Sequence, residues 1–262
     1  MKQSSTVLLV VLILMLLTSV SADEQAPRTG YFRVSSTPME LLGEQAASAL
    51  GEVFTADEKL RWQLVVPKNY DPAKPPGVIV FVNRGNWGGG KKAWSQVFEE
   101  KNLIWIGALD AGDQSPINER MFKALLAPAV LARDYAINPH RIYVSGFVGG
   151  AHVASILSTT RPALFRGGLF MSGATFWGDK APSQLDRLRQ NRFVFLTGAN
   201  DVARTKVART AESYKKAGLQ NTDLIIVPNM RQELPGKSYF EAAIDYLDQA
   251  GAEGQSRAVT NN

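Results

Sequence analysis

The segment Pro139-His140-Arg141-Ile142-Tyr143-Val144-Ser145-Gly146-Phe147-Val148-Gly149-Gly150-Ala151-His152 comes nearest to a recognisable catalytic pattern. It reads as a strand, a sharp bend and the start of a helix. Glycines at 146, 149 and 150 let the chain reverse within a few residues and let the helix begin hard against a sheet. A nucleophile elbow of the Gly-x-Ser-x-Gly type requires both. Here the middle position is Val148, in Gly146-Phe147-Val148-Gly149-Gly150. A valine side chain has no lone pair and no ionisable proton, so it cannot attack a carbonyl. Its branched Cβ is also unfavourable at the positive φ that such an apex adopts. Either strain of ~1–3 kcal/mol persists there or the turn relaxes. Backbone N–H groups do not depend on side chains. Those at Gly149 and in loop 84–90, with Asn86 and Trp87 on its rim, remain able to form an oxyanion hole for a carbonyl or carboxylate.

Few other residues can do chemistry. With no cysteine among 262 residues, disulfides, zinc-thiolate sites, iron-sulfur clusters and a cysteine nucleophile are excluded. Of the two histidines, His140 precedes the strand that ends at the bend. Residues 141–145 at ~3.3 Å each place it ~16 Å away, at the opposite edge of the sheet. His152 lies about one helical turn beyond Val148 and reads as a packed, structural histidine. Ser145 and Ser172 sit near strand ends without a paired base, and Glu233 reads as a solvated loop charge. Asp110 and Asp113 lie where α/β pockets form, but two carboxylates without further oxygen ligands do not make a hard-metal site. No metal and no cofactor are expected. The glycine-rich run 84–92 lacks the final Ser/Thr and spacing of a P-loop and reads as the flexible rim of a pocket. Trp87, Trp105 and Trp177 could line an aromatic cleft, although burial in a sheet or under a loop is the commoner role.

These residues need elements to position them. The chain is 45% hydrophobic and 20% charged, enough for one sizeable core. Short, nearly continuous apolar runs at 64–66, 78–82, 103–109, 142–145, 169–171, 193–196 and 224–227 predict strands buried on both faces. Helical patterns at 93–100, 119–135, 151–158, 205–217 and 239–250 alternate with them, and an earlier one at 39–50 follows an apolar stretch at 31–34. The fold class is therefore α/β, a mostly parallel sheet with helices on both faces and its first strands pairing antiparallel at an edge. Pro128 should kink or split its helix. Residues 23–250 form a single domain and the polar run 251–262 a disordered tail. Residues 1–22 read as a signal peptide: Lys2, an apolar run at 7–17 too short for the ~20 residues of a bilayer span, then small residues before a cut ahead of Asp23. The protein is thus expected to be exported, periplasmic or secreted, with no stable membrane anchor after cleavage. The balance of 29 basic against 24 acidic residues, without a long basic run, argues against nucleic-acid binding.

From about residue 54 to 247 the chain resembles the α/β-hydrolase superfamily, and within it secreted esterases related to polyhydroxybutyrate depolymerases and feruloyl esterases. The resemblance rests on the tryptophan and proline of segment 62–67, the loop after 78–83, Asn138-Pro139-His140-Arg141-Ile142-Tyr143-Val144-Ser145-Gly146-Phe147, and Phe165-Arg166-Gly167-Gly168. It implies a nucleophile at the position of Val148, an acid at Asp201 after the next-to-last strand, and a histidine where Arg231 and Gln232 stand. A glutamine amide does not titrate near neutral pH and cannot relay a proton. Of the three triad positions, Val148, Asp201 and Gln232, only the acid is in place. The expectation is a protein that binds a small acyl, aryl or carboxylate ligand, or a protein partner, without cutting it. The alternative is a weak carboxylic-ester hydrolase with a non-standard nucleophile.

Overall fold

A computed structural model describes residues 27–178 and 180–259, the last ten as backbone only. Residues 1–22, read as a signal peptide, lie outside the described residues. Eight strands form one sheet: β1 (Gly30–Ser36), β2 (Leu60–Val66), β3 (Gly77–Val82), β4 (Leu103–Ala108), β5 (Ile142–Phe147), β6 (Gly167–Met171), β7 (Arg192–Gly198) and β8 (Thr222–Val227). Their spatial order is β1-β2-β4-β3-β5-β6-β7-β8. β2 pairs antiparallel with both β1 and β4, and every other pairing is parallel. The antiparallel edge expected from sequence is therefore present. β2 starts four residues before the apolar run at 64, because Arg61 and Gln63 interrupt that run without interrupting the pairing.

Among the described residues, eight α-helices accompany this sheet: α1 (Pro38–Leu42), α2 (Glu44–Ser48), α3 (Ser95–Glu100), α4 (Ile117–Ala132), α5 (Gly149–Thr160), α6 (Leu185–Leu188), α7 (Arg204–Lys216) and α8 (Lys237–Val259). One face packs Ala124, Leu131, Ala151, Leu157, Val207 and Tyr214 from α4, α5 and α7 onto Val80, Val144 and Phe195. The other packs Phe98, Phe240, Ile244 and Leu247 from α3 and α8 onto Phe81, Trp105 and Leu196. Two-sided burial is why β3, β4, β5, β6 and β7 are buried along their whole length.

One local expectation is corrected. The helix foreseen at 39–50 is two short helices, divided at Gly43, whose φ of 75° an unbroken helix cannot hold. Thr37 opens the first of them with a capping box, its hydroxyl accepting from the Glu40 N–H. Of the two outcomes expected at Pro128, a kink or a split, the split does not occur: α4 runs through it, with the proline buried. The backbone of α8 continues to Val259. Ala252, Glu253, Gln255, Arg257 and Ala258 favour a helix even where no apolar stripe marks one. Among the described residues, no helix is long and apolar enough to cross a membrane.

Candidate functional site

The bend between β5 and α5 is held by close packing. A Cβ on Gly146 would stand 2.2 Å from the Gly150 carbonyl oxygen, and one on Gly150 would stand 1.9 Å from the Val82 carbonyl oxygen. Only glycine fits at either place, so the helix starts in direct contact with β3 and β5 whatever residue sits at the apex. That residue is Val148, with φ 54° and ψ −113°. Of the two outcomes foreseen for the apex, the strained one is found, at a cost of ~1–3 kcal/mol. Val148 is half-buried against the α3/α8 face, and its N–H donates to the Met171 carbonyl at 2.9 Å.

Gly149 is the first residue of α5, so its N–H has no acceptor within the helix. The Asp113 carboxylate lies against it, at 1.8 Å from where a Cβ on Gly149 would be. Asp113 also accepts from Arg120 Nη2 at 2.9 Å. Arg120, buried on α4, donates further to the carbonyls of Ala111 and Asn83 and so ties the loops after β3 and β4 to the elbow. Asp110 pairs with Arg61 at 2.7 Å. Both carboxylates weighed as metal ligands are thus held by arginines. Among the described residues, no group of three or more His, Cys, Asp or Glu side chains forms a metal-ligand cluster.

At the carboxyl end of β7, Asp201 is buried and supplied with donors. It accepts from the Thr197 hydroxyl at 2.9 Å and from the Ala203 N–H at 2.8 Å. Gln232 Nε2 stands 3.5 Å from the same carboxylate. The loop after β8 reaches this position because Asn229 takes φ 58° and the Met230 carbonyl lies directly on Gly198, where a Cβ would be 2.0 Å away. The Asn200 N–H donates to that carbonyl. On its other side Gln232 Oε1 accepts from Arg84 Nη1 at 3.4 Å. The carboxamide therefore bridges a carboxylate and a guanidinium, and neither of its ends titrates.

His152 lies one turn into α5, its Nε2 close to Gly173, on which the Val148 carbonyl also packs. Its Nδ1 is 3.0 Å from the Thr175 hydroxyl, and Ser155 of the same helix accepts the Thr175 N–H, so the ring belongs to the packing between α5 and the loop after β6. Burial, with the Lys206 charge second, holds its pKa below the ordinary 6.5. His140 is exposed before β5, at the far end of that strand from Val148. Ser145 and Ser172 are buried, and neither hydroxyl has a hydrogen-bond partner. Glu233 is exposed.

The glycine-rich run after β3 is tied to the sheet at Gly88 and exposed at Arg84, Asn86 and Trp87. Gly88 is buried against Gly107 of β4, and its carbonyl accepts from Trp105 Nε1 at 2.8 Å. Asn86 Oδ1 accepts from the Gly112 N–H, a brace between two loops. Trp87 is 56% exposed with its ring folded over Gly85. Trp105 is fully buried, and Trp177 packs on Phe176 and Tyr214. Sequence reasoning missed Arg84 and Arg120 as parts of the site. Nothing in their spacing marks them, since both act across loops that only the sheet order brings together.

No family model matches the chain. Segments of 112 residues align at 30% identity with isoprenylcysteine alpha-carbonyl methylesterase of Arabidopsis thaliana, covering 39% of this chain. The match spans about a quarter (26%) of that protein's length. Among solved structures, a serine-to-alanine mutant of the feruloyl esterase module from Clostridium thermocellum, complexed with sinapinate, is similar with a TM-score of 0.59 at 12% identity. It covers 88% of this chain and 95% of that one. Esterase 2 of Thermogutta terrifontis, phosphorylated by paraoxon, is similar with a TM-score of 0.52 at 16% identity over 74% and 88% of the two chains. The strand order and these likenesses give the chain the α/β-hydrolase fold, whose solved neighbours here include feruloyl esterases, other esterases and a dipeptidyl aminopeptidase IV.

Proposed function

We propose that this chain is a non-catalytic binding protein built on an esterase-like α/β-hydrolase fold, exported across a membrane, whose cleft holds a small acyl, aryl or carboxylate ligand. The observation that carries this reading is the hydrocarbon Val148 at the apex dihedrals, together with a carboxamide, Gln232, beside Asp201. Ester hydrolysis needs an oxygen at the first place and a proton carrier at the second. Losing a triad member leaves only the ~10³–10⁴-fold acceleration that binding and an oxyanion hole supply. The mutant feruloyl esterase module that lacks a serine and holds sinapinate is a precedent for this fold retaining an aromatic acid. The apolar run at 7–17 with its small-residue flank supports export; amino-terminal sequencing of protein recovered outside the cytoplasm should begin at Asp23.

Incubation with a fluorophosphonate probe and with p-nitrophenyl esters tests the reading. The expected result is no labelled serine and no turnover beyond buffer. Labelling of any serine would overturn it in favour of a weak esterase with a non-standard nucleophile. Ser172 is the residue to inspect in that case, because it combines φ 56° with an unpartnered hydroxyl. Conversely, Val148→Ser with Gln232→His should create probe labelling, since the glycine-held apex and the Thr197 and Ala203 donors to Asp201 do not depend on either substituted side chain.

A further inference from the structure

We propose that Arg161, Arg166 and Arg187 form a second binding site, for a tetrahedral oxyanion such as phosphate or a phosphate monoester, at the amino end of β6. It lies at the opposite edge of the sheet from the cleft and is independent of what the cleft does. Charge is unevenly spread along the chain. Residues 161–216 hold 11 of the 29 basic residues and 4 of the 24 acidic ones, so the excess of positive charge lies wholly within them. The fold then gathers three of these arginines. Asn191, buried just before β7, donates from Nδ2 to the carbonyls of Pro162 at 3.2 Å and Phe165 at 2.9 Å. Arg161 and Arg166 flank those two acceptors in the chain. Arg187 stands in the turn that leads from α6 to Asn191, its carbonyl accepting from the Gln190 N–H at 3.1 Å. A Cβ on Gly167 would meet Leu247 of α8 and Tyr143, so strand alternation turns the Arg166 side chain to the other face, where Leu157 of α5 and Leu188 of α6 pack.

These charges are not neutralised from within. Among the described residues, no carboxylate lies within ion-pair distance of any of the three, and the nearest in sequence, Asp186, is held by Arg189 at 2.6 Å. Burial first, and the Arg187 charge second, hold the Arg166 guanidinium below the ordinary arginine range, as two like charges near one another do. Arg161 Nη1 donates to the Thr160 carbonyl at 2.9 Å, which covers the negative end of α5 and would screen an anion from it. Arg187 is exposed and Arg161 and Arg166 are half-buried, so the cluster opens to solvent. The Nε atoms of Arg161 and Arg166 are enclosed without a partner, which leaves the terminal Nη groups as the donors a ligand meets. Repulsion between half-buried guanidinium groups is offset only by an anion. Three cations converging from two turns exceed what a planar monoanion can match, whereas a tetrahedral dianion supplies both the charge and acceptors in several directions.

Calorimetric titration of the purified protein at pH 7.5 with sodium phosphate, and with sodium acetate as the planar monoanion, tests this. Phosphate should bind with a dissociation constant of about 1 mM or below, at least about tenfold tighter than acetate. Arg187→Gln, at an exposed position, should weaken phosphate at least about fivefold, while Arg209→Gln, an exposed cation of α7, should leave it within about twofold. Phosphate should also raise the melting temperature of the unaltered chain and of Arg209→Gln, but not that of Arg187→Gln, which separates loss of the site from loss of the fold. Sedimentation with phosphatidylcholine vesicles containing phosphatidic acid tells the sources of the oxyanion apart. Protein carried down, and released by added phosphate, makes it a lipid headgroup; protein left in solution while phosphate binds makes it a soluble phosphate. Both results support the site. Acetate as tight as phosphate, equal losses in the two variants, or no binding of phosphate would overturn it, and the reading of the cleft would stand in each case.

Discussion

Strand β5 has two different ends. At its amino end Arg141 donates to Asp248 at 3.0 and 2.7 Å and to the carbonyls of Lys101 and Asn102, while the Tyr143 hydroxyl donates to the same Asp248 at 2.9 Å. Burial and the adjacent carboxylate push the Tyr143 phenol far above its ordinary pKa, so it stays a donor at all relevant pH. This latch pins α8 to the sheet. At the carboxyl end stands Val148, strained, beside Asn83 and Ser172 with polar atoms unmatched. Among the described residues, four of the five non-glycine residues with positive φ, Asp110, Val148, Ser172 and Asn229, follow strands at this same edge. One end of the strand is saturated and carries stability, whereas the other tolerates strain and free donors, as binding edges do.

The contrast can be broken from either side. Gly150→Ala drives a methyl into the Val82 carbonyl and should destabilise by about 3 kcal/mol in urea titration, the largest effect expected. Asp248→Ala leaves a partly buried guanidinium and a buried phenol without their acceptor and should destabilise by about 2–3 kcal/mol; Asp248→Asn should recover part of it. Val148→Gly has the opposite sign. Relief of an unfavourable φ outweighs the loss of a half-buried side chain, for a gain of about 1 kcal/mol, where a valine on an unstrained strand would lose stability.

The smallest effect concerns pH. His152 titrates below its unfolded value of 6.5, so the unfolded chain binds the proton more readily. Its contribution to stability is therefore complete above pH 6.5 and is lost as the pH falls through the folded value. Thermal melts between pH 7.5 and 5 should show a decline that His152→Gln flattens.

Much of the sheet is legible from sequence because strands buried on both faces are apolar runs, and Val78, Ile104, Val144 and Phe195 announce themselves. β2 is less so, since its Arg61 and Gln63 face loops that the sequence places far away. The apex was legible as a spacing of glycines, and Gln232 as the residue beside the acid through its position after β8. Arg84 was not, because its role depends on β3 lying beside β5 while the loop after β8 folds back over Gly198. The split at Gly43 follows from a local backbone conformation that an apolar stripe does not reveal, whereas α4 runs through Pro128 with the proline buried.

The rings of Trp94 and Phe240 stack with centroids 4.0 Å apart, and Trp94 lies 5.7 Å from Trp105. Two indoles at that separation and a 56° tilt couple their ultraviolet transitions. The last helix thus lies on an optical gauge: the Trp94–Trp105 exciton band in circular dichroism should change if Trp94 reorients once Phe240 lifts off its ring, a label-free signal for undocking of α8 separate from loss of the helices themselves.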